Sequence, residues 1–195
     1  MDNTVDKRDT IVDAACSTLA SIGVGRLTVA LVAKAAGVST ALVHYHFATK
    51  QRLLAAAADT LARRRTESRV AALAAGQGLA SLDALWGALV DGRAEGERAA
   101  PDLILLARED PGIRSVLQRE RRREQERLAA TLPQLFGSLG TRPRIPFEDL
   151  AATVCTFLDG ATASLIAGTP PEDVRASYDA FCLALVGLGQ AVRAR

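Results

Sequence analysis

Residues 28–47 read TVALVAKAAGVSTALVHYHF, and this stretch decides the fold of the first part of the chain. Thr28 is a residue type that caps the start of a helix, and apolar residues follow it at helical spacing. Gly37 stands where a helix favours a left-handed residue at its end, and Ser39 can cap a second helix. The stretch therefore predicts two short helices joined by a tight turn centred on glycine.

The second of these helices has two different sides. Val43 and Phe47 point together on a helical wheel and predict its buried face. The opposite side carries small, apolar and hydrogen-bonding groups without an acid: Ala41, Leu42, His44 and Tyr45. An exposed Leu42 can contact a thymine methyl group, and Thr40 at the helix start can reach base edges or phosphates. A helix that projects such a side fits the major groove of DNA.

Cations around this motif favour an anionic partner. Lys50 lies at the start of a fourth helix, capped by Thr49, where a positive charge is unfavourable unless a phosphate joins the site. Tyr45 can offer its hydroxyl to a phosphate as well. Residues 1–65 hold nine Lys or Arg against five Asp or Glu, whereas the rest of the chain holds fifteen against seventeen. The basic segment suits nucleic acid, and the remainder does not.

The motif closely resembles the tetracycline-repressor-like (TetR) family. The family pattern T-x-x-x-I-A-x-x-A-G-V-S-x-x-x-L-Y-x-H-F-x-x-K-x-x-L is matched from Thr28 through Phe47, and then by Lys50 and Leu53. His44 stands where the family usually has tyrosine. Carried over residue by residue, the resemblance implies these DNA-binding residues: Thr28, Ser39, Thr40, Ala41, Leu42, His44, Tyr45 and Lys50.

The resemblance also implies an organisation and a function. It implies an all-α protein with a three-helix, helix-turn-helix DNA-binding domain in residues 1–50, a linking fourth helix in residues 49–75, and a helical ligand-binding and dimerisation domain in residues 51–195. Such a protein is a transcriptional repressor that binds double-stranded DNA at a near-palindromic operator as a homodimer. A small molecule of unknown identity releases it.

Composition and spacing predict helices beyond the motif as well. Aromatic residues make up only 4% of the chain, whereas Ala and Leu are abundant and favour helices. Ser81 is expected to cap a helix, Pro101 and Pro111 to lie in first turns, and residues 137–146 to form a loop. Thr169–Glu172 reads as a capping box that starts the last helix.

The second part of the chain is expected to enclose an apolar pocket. Trp86, Leu89 and Leu106 are the residues expected to line it, because the first two lie on an apolar stripe and the third in the run 103–106. The Arg-rich segment 119–127 interleaves arginines with glutamates at pairing distance, which predicts a solvated helix face. The alternatives for this segment are a second nucleic-acid patch and a polar end of the pocket.

The last two helices carry apolar surface wider than one packing contact requires, and this predicts a dimer interface. The interface residues expected there are Phe157, Ala161, Ser164, Tyr178, Phe181, Cys182 and Leu185. One short recognition helix contacts few base pairs. A two-fold symmetric dimer, which presents two such helices, is therefore also expected for specific DNA binding.

Other functions find little support in the sequence. It contains no catalytic triad order, metal-ligand cluster or phosphate loop, so no catalytic, metal or cofactor site is expected. Cys16, Cys155 and Cys182 lack CxxC spacing and are expected to be core residues in a reducing cytoplasm. Asp159 interrupts the most apolar run, and no membrane partner is expected. The alternatives to a ligand-responsive regulator are a constitutive DNA-binding protein without a sensor and, least supported, an enzyme.

Overall fold

The computed structural model describes residues 2–91 and 95–191, and within them the protein is almost entirely helical. The helices are α1 Asp2–Ile22, α2 Val29–Ala35, α3 Thr40–Phe47, α4 Lys50–Ala75, α5 Leu79–Val90, α6 Glu95–Glu109, α7 Pro111–Ser138, α8 Phe147–Ile166 and α9 Pro171–Gly187. Two three-residue strands, β1 Thr141–Pro143 and β2 Gly189–Ala191, pair antiparallel. The predicted all-α class is confirmed.

The chain folds into two compact units. Unit 1 contains Met1–Arg65 and Glu95–Glu120, and unit 2 contains Thr66–Ala94 and Arg121–Arg195. The boundaries fall inside α4 and α7, so each of these long helices contributes residues to both units. Unit 1 therefore includes more than the three helices around the motif, since α6 and parts of α4 and α7 also belong to it.

The core of unit 1 follows the apolar spacing of its helices. Residues of α1 at i, i+4 and i+8 (Ile11, Ala15, Leu19) have no more than 1% of their surface exposed. α4 buries a matching stripe that includes Leu53 and Leu61. The repeat of apolar residues every three to four positions places them on one side of each helix, where they exclude water together. This core is the platform on which α2 and α3 stand.

The core of unit 2 has the same origin. α5, α7, α8 and α9 each supply an apolar stripe, and the largest fully buried side chains include Phe136, Leu150 and Tyr178. Cys155 and Cys182 are buried here, and Cys16 is buried in unit 1. The expectation that all three cysteines are core residues is confirmed.

Unit 2 also buries an ionic cluster. Arg69 Nη1 of α4 donates to Glu124 Oε1 of α7 at 2.9 Å and to Asp159 Oδ1 of α8 at 3.2 Å. Arg121 contacts the other oxygen of Asp159 and approaches Glu124 Oε2 at 3.4 Å. The solvated face predicted for residues 119–127 is therefore wrong for Glu124, because its side chain is buried against Arg69 of α4, a partner that the pattern within α7 does not show.

Three predicted local features are wrong. Pro101 lies inside α6, because the helix begins six residues earlier at Glu95, with an acidic first turn that also contains Glu97. Ser81 is buried within α5, which begins at Leu79 after Gly78. No side chain caps α9, whose N-cap position is occupied by Pro170. By contrast, Pro111 does open α7.

The loop predicted at residues 137–146 is shorter than expected. α7 continues to Ser138, and Thr141–Pro143 pairs with Gly189–Ala191. The partner strand lies almost fifty residues away, so alternation within either short segment cannot reveal the pairing.

By length and composition alone, α8 is long and apolar enough to cross a membrane. Inside the fold, 39% of its most apolar stretch is buried. Its Asp159 is engaged by Arg69 and Arg121, which ties the helix to the rest of unit 2. These ion pairs favour a packed helix of a folded unit, with apolar surface left over on its outer side.

Candidate nucleic-acid interface

Side-chain caps define the beginnings of α2 and α3. Thr28 Oγ1 accepts a hydrogen bond from the backbone N–H of Leu31, and Ser39 Oγ accepts one from Leu42, both at 3.2 Å. Thr28 and Ser39 themselves keep an extended backbone. Each cap satisfies a donor that the first helical turn leaves unpaired, so both predicted caps are confirmed.

The turn between α2 and α3 has the geometry that glycine favours. Gly37 has φ +64°, which costs an L side chain more than glycine. The N–H of Val38 donates to the carbonyl of Ala33 at 2.9 Å, and that of Gly37 donates to Lys34 at 3.2 Å. This pair of bonds is a Schellman ending, which stops α2 and reverses the chain before α3.

α3 turns one face to the core and one to solvent. Val43 and Phe47 are buried, as predicted. Leu42 is only half-buried and packs against the core of unit 1, so the expectation of a freely exposed Leu42 is corrected. The exposed side consists of Thr40, Ala41, His44 and Tyr45. The side chain of Tyr45 is 77% exposed, although aromatic residues usually bury their rings.

The two histidines of α3 lie in different surroundings. His44 is exposed, whereas His46 is half-buried with its ring 5.3 Å from that of Tyr45 and 6.3 Å from that of Phe47. The Nε2 atom of His46 is buried without a hydrogen-bond partner among the described residues. Ring packing therefore accounts for the position of His46.

The turn from α3 to α4 presents Lys50 next to the exposed face. Ala48 adopts φ +46°, its N–H donates to the carbonyl of His44 at 2.8 Å, and the N–H of Thr49 contacts the carbonyl of Phe47. Thr49 Oγ1 accepts from Arg52 N at 3.2 Å, which confirms it as the cap of α4. Lys50 is the first residue of α4, so the free N–H groups of the first turn and the Lys50 ammonium belong to one short segment.

Two exposed cations near the motif were not identified from the sequence. Lys34 lies in the last turn of α2, and Arg52 lies in the first turn of α4. A cation at a helix end that is exposed in the fold is a candidate for phosphate contact. Sequence reasoning could have included Arg52, because it follows Lys50 within the same turn.

The residues predicted for a ligand pocket are divided between the two units. Leu106 packs at the edge of the unit 1 core, whereas Leu89 is buried and Trp86 half-buried in unit 2. A cavity of about 500 Å³ does exist in unit 2, but other residues line it. Spacing along one helix identifies an apolar stripe without showing whether the stripe fills a core or lines a space.

The predicted interface residues are divided between core and surface. Ala161, Tyr178, Cys182 and Leu185 are buried inside unit 2. Tyr178 donates its hydroxyl to the carbonyl of Leu82 at 2.7 Å. Phe157, Phe181 and Ser164 are half-buried, and the rings of Phe157 and Phe181 stack at 4.0 Å. The predicted contact therefore needs other side chains at its centre, because the buried four are already covered by their own chain.

A family model supports the assignment of this site. Residues 11–57 match the model described as "Bacterial regulatory proteins, tetR family", and these residues include α2, the glycine turn and α3. This stretch of the chain is similar to the DNA-binding domain of the TetR family. The match covers the DNA-binding helices and does not extend to unit 2.

Solved structures share the fold over nearly the whole chain. A protein described as a TetR-family transcriptional regulator from Rhodococcus sp. is 22% identical, with 93% of this chain and 99% of that chain covered and a TM-score of 0.77. A transcriptional regulator from Saccharomonospora viridis in complex with choline is 19% identical, with 95% and 99% covered and a TM-score of 0.75. The multidrug binding protein EbrR complexed with imidazole is 25% identical, with 97% and 98% covered and a TM-score of 0.63.

No curated protein matches this sequence well enough to count as a relative. The comparisons therefore relate residues 11–57 to bacterial regulatory proteins and show the fold of nearly the whole chain.

Proposed function

We propose that the protein is a transcriptional repressor that binds a near-palindromic operator as a homodimer and leaves it when a small molecule binds. The observation that carries the DNA-binding role is the exposed side of α3, where Thr40, Ala41, His44 and Tyr45 stand free of any acid. A helix whose inner side is anchored by Val43 and Phe47 can present this side rigidly to a major groove.

Within this proposal, phosphate contacts position the helix and α3 reads the bases. Tyr45 and Lys50 bind phosphates, with the first-turn N–H groups of α4 aiding Lys50. Thr40, Ala41 and His44 face base edges. The hydroxyls of Thr28 and Ser39 each accept a bond from their own helix, and the O–H of each can still donate to a phosphate oxygen.

The dimer contact uses the outer sides of α8 and α9. Small or apolar exposed residues recur along each helix at helical spacing: Thr153, Thr156, Gly160, Ala163 and Ala167 on α8 and at its end, and Ala176, Ala180, Ala184 and Gly187 on α9. Such surfaces allow two helix pairs to approach closely as a four-helix bundle. A two-fold pair places two α3 helices on successive half-sites, which gives the operator its near-palindromic form.

The sensing role rests on unit 2. A DNA-binding dimer without a sensor needs little beyond unit 1 and a pair of contact helices, yet unit 2 has a core and a cavity of its own. Two proteins of the same fold were solved with choline and with imidazole. These observations favour a ligand-responsive regulator in the cytoplasm over a constitutive DNA-binding protein or an enzyme.

The experiment that tests the DNA-binding role introduces an acid into the exposed side of α3. Ala41→Glu keeps the fold, because Ala41 is exposed, but brings a carboxylate against the phosphates and base edges. Ala130→Glu, at an exposed alanine of α7, is the matched control. Operator sequences are first selected from random DNA, and binding is then measured by fluorescence anisotropy.

We expect selection to yield two inverted half-sites, with Ala41→Glu binding them at least about tenfold more weakly than Ala130→Glu. Equal binding by the two variants would show that α3 does not face the DNA. Titration of the bound complex with a metabolite panel then separates a sensor from a constitutive binder, since only a sensor releases its DNA.

A further inference from the structure

Unit 2 contains a cavity of about 500 Å³ bordered by α5, α9 and the residue that follows α7. Leu82, Tyr178 and Cys182 form its buried floor. Leu79 and Leu183 stand at the rim and are 61% and 73% exposed. Its volume lies within the range of small-molecule sites, and its walls are mostly aliphatic.

The polar groups of the cavity are one guanidinium and two carboxylates. Arg175 Nη2 lies 2.6 Å from Asp83 Oδ1, and Arg175 Nε lies 2.7 Å from Asp179 Oδ1. The guanidinium also lies over the ring of Trp86 at 5.5 Å and over that of Tyr178 at 5.8 Å. The hydrogen bonds that Arg175 donates to Asp83 and Asp179 raise the pKa of its guanidinium, so the group stays charged.

These contacts leave the cavity with a net negative charge. Arg175 is held by two carboxylates and two aromatic rings, so an anionic ligand would have to compete with Asp83 and Asp179 for it. Both carboxylates are largely exposed, and a cation can approach them without breaking the existing pairs. The hydroxyl of Tyr178 is already used by the carbonyl of Leu82 and adds no free donor.

We propose that this cavity binds an aliphatic molecule that carries a positive charge, of the alkylamine or alkylammonium class. The alkyl part lies against Leu82, Val186 and the ring of Tyr178, and the cationic end lies at the rim beside Asp83 and Asp179. The inference deepens the proposed function, since this ligand would be the effector, but it concerns binding to the free protein.

The test compares probes that share an alkyl chain and differ in charge. Decyltrimethylammonium, decyl sulfate and decanol are titrated below their aggregation limits into the full chain without DNA, and the fluorescence of Trp86 is recorded. Trp86 is the sole tryptophan, and its ring lies 5.3 Å from that of Tyr178. We expect saturable binding, with the ammonium probe about three- to tenfold tighter than the other two at low salt.

Variants locate the site and its charge. Asp83→Asn with Asp179→Asn releases Arg175 and should reverse the preference, so that decyl sulfate binds more tightly than decyltrimethylammonium. The matched control, Glu148→Gln with Asp149→Asn, removes two exposed carboxylates of α8. It should bind the three probes in the same order of affinity as the wild type. Val186→Phe fills the cavity and should weaken all three probes.

Several results would overturn the proposal. These are the absence of saturable binding, equal affinity for the three probes, a preference for decyl sulfate in the wild type, or full binding by a folded Val186→Phe variant. Conversion of a wild-type dimer to a monomer by Val186→Phe, seen in sedimentation, would assign the cavity to a partner copy instead. None of these results bears on DNA binding by α3, which is measured separately.

Discussion

Arg69 and Glu124 form an ion pair at 2.9 Å in which each side chain is only 1% exposed, and Asp159 and Arg121 extend it. Removing one partner of such a pair leaves a charge in the core without its counter-ion. We therefore expect Arg69→Met to lower the free energy of unfolding by about 3 kcal/mol. Urea denaturation of the full chain measures this change.

The control for this prediction is an exposed arginine that also has two acidic partners. Arg64 pairs with Asp13 and Glu95 at the surface of unit 1, and Arg64→Ala should cost less than about 1 kcal/mol. The double variant Arg69→Met with Glu124→Leu should recover much of the loss. If Arg69→Met lowers the free energy of unfolding no more than Arg64→Ala does, the buried ion pair does not stabilise the protein.

Ala48 is the only non-glycine residue with positive φ among the described residues. Since glycine adopts φ +46° without the steric cost of a Cβ atom, Ala48→Gly should stabilise the protein by about 1 kcal/mol. Ala71→Gly, at an exposed interior position of α4, should destabilise it by a similar amount. Thermal melts that shift in the same direction for both variants would contradict a strained turn.

Lys50 is expected to contact a phosphate and not a base. Lys50→Ala should weaken binding to operator and random DNA alike and reduce the slope of log affinity against log salt by about one unit. Arg98→Ala, which removes an exposed charge of α6 outside the motif, should leave the slope unchanged. A loss confined to the operator would instead assign Lys50 to base recognition.

The dimer test must use a residue that the fold leaves exposed. Leu185 is buried in unit 2, so an arginine there would disturb the chain itself. Ala184 is exposed on α9, and Ala184→Arg should convert the dimer to a monomer and lower operator affinity with little change in the melting temperature. Ala130→Arg on α7 serves as the control. A wild-type monomer at micromolar concentration in sedimentation would end the interface proposal.

Burial raises the pKa of the Cys16 and Cys155 thiols to about 12. Both should stay protonated in the folded protein at pH 8 and react with a disulfide reagent far more slowly than in urea. Between pH 9 and pH 12 the unfolded chain ionises these thiols and the folded chain does not, so the free energy of unfolding should fall as pH rises through this window. Rapid labelling of the native protein at pH 8 would show that the two sites open.

Local signals in the sequence were enough to define the DNA-binding segment. Thr28, Ser39 and Thr49 cap helices, and Gly37 takes a positive φ, because these preferences depend only on the residue and its neighbours in the chain. The buried positions of α3 also follow from local spacing. The class of the fold and the similarity to the TetR family therefore came from residues that lie close together in sequence.

The tertiary structure decided which polar and apolar groups meet. The buried partner of Glu124, Arg69, lies on α4, and the lining of the cavity comes from three separated stretches, so no pattern within one helix reveals either. Helical spacing shows that Tyr178 and Leu185 are apolar-face residues, but not which neighbouring element covers that face. Whether a residue of such a stripe lies in the core, in a cavity or at an interface depends on the distant segments that pack around it, because burial is set by the neighbours of a side chain.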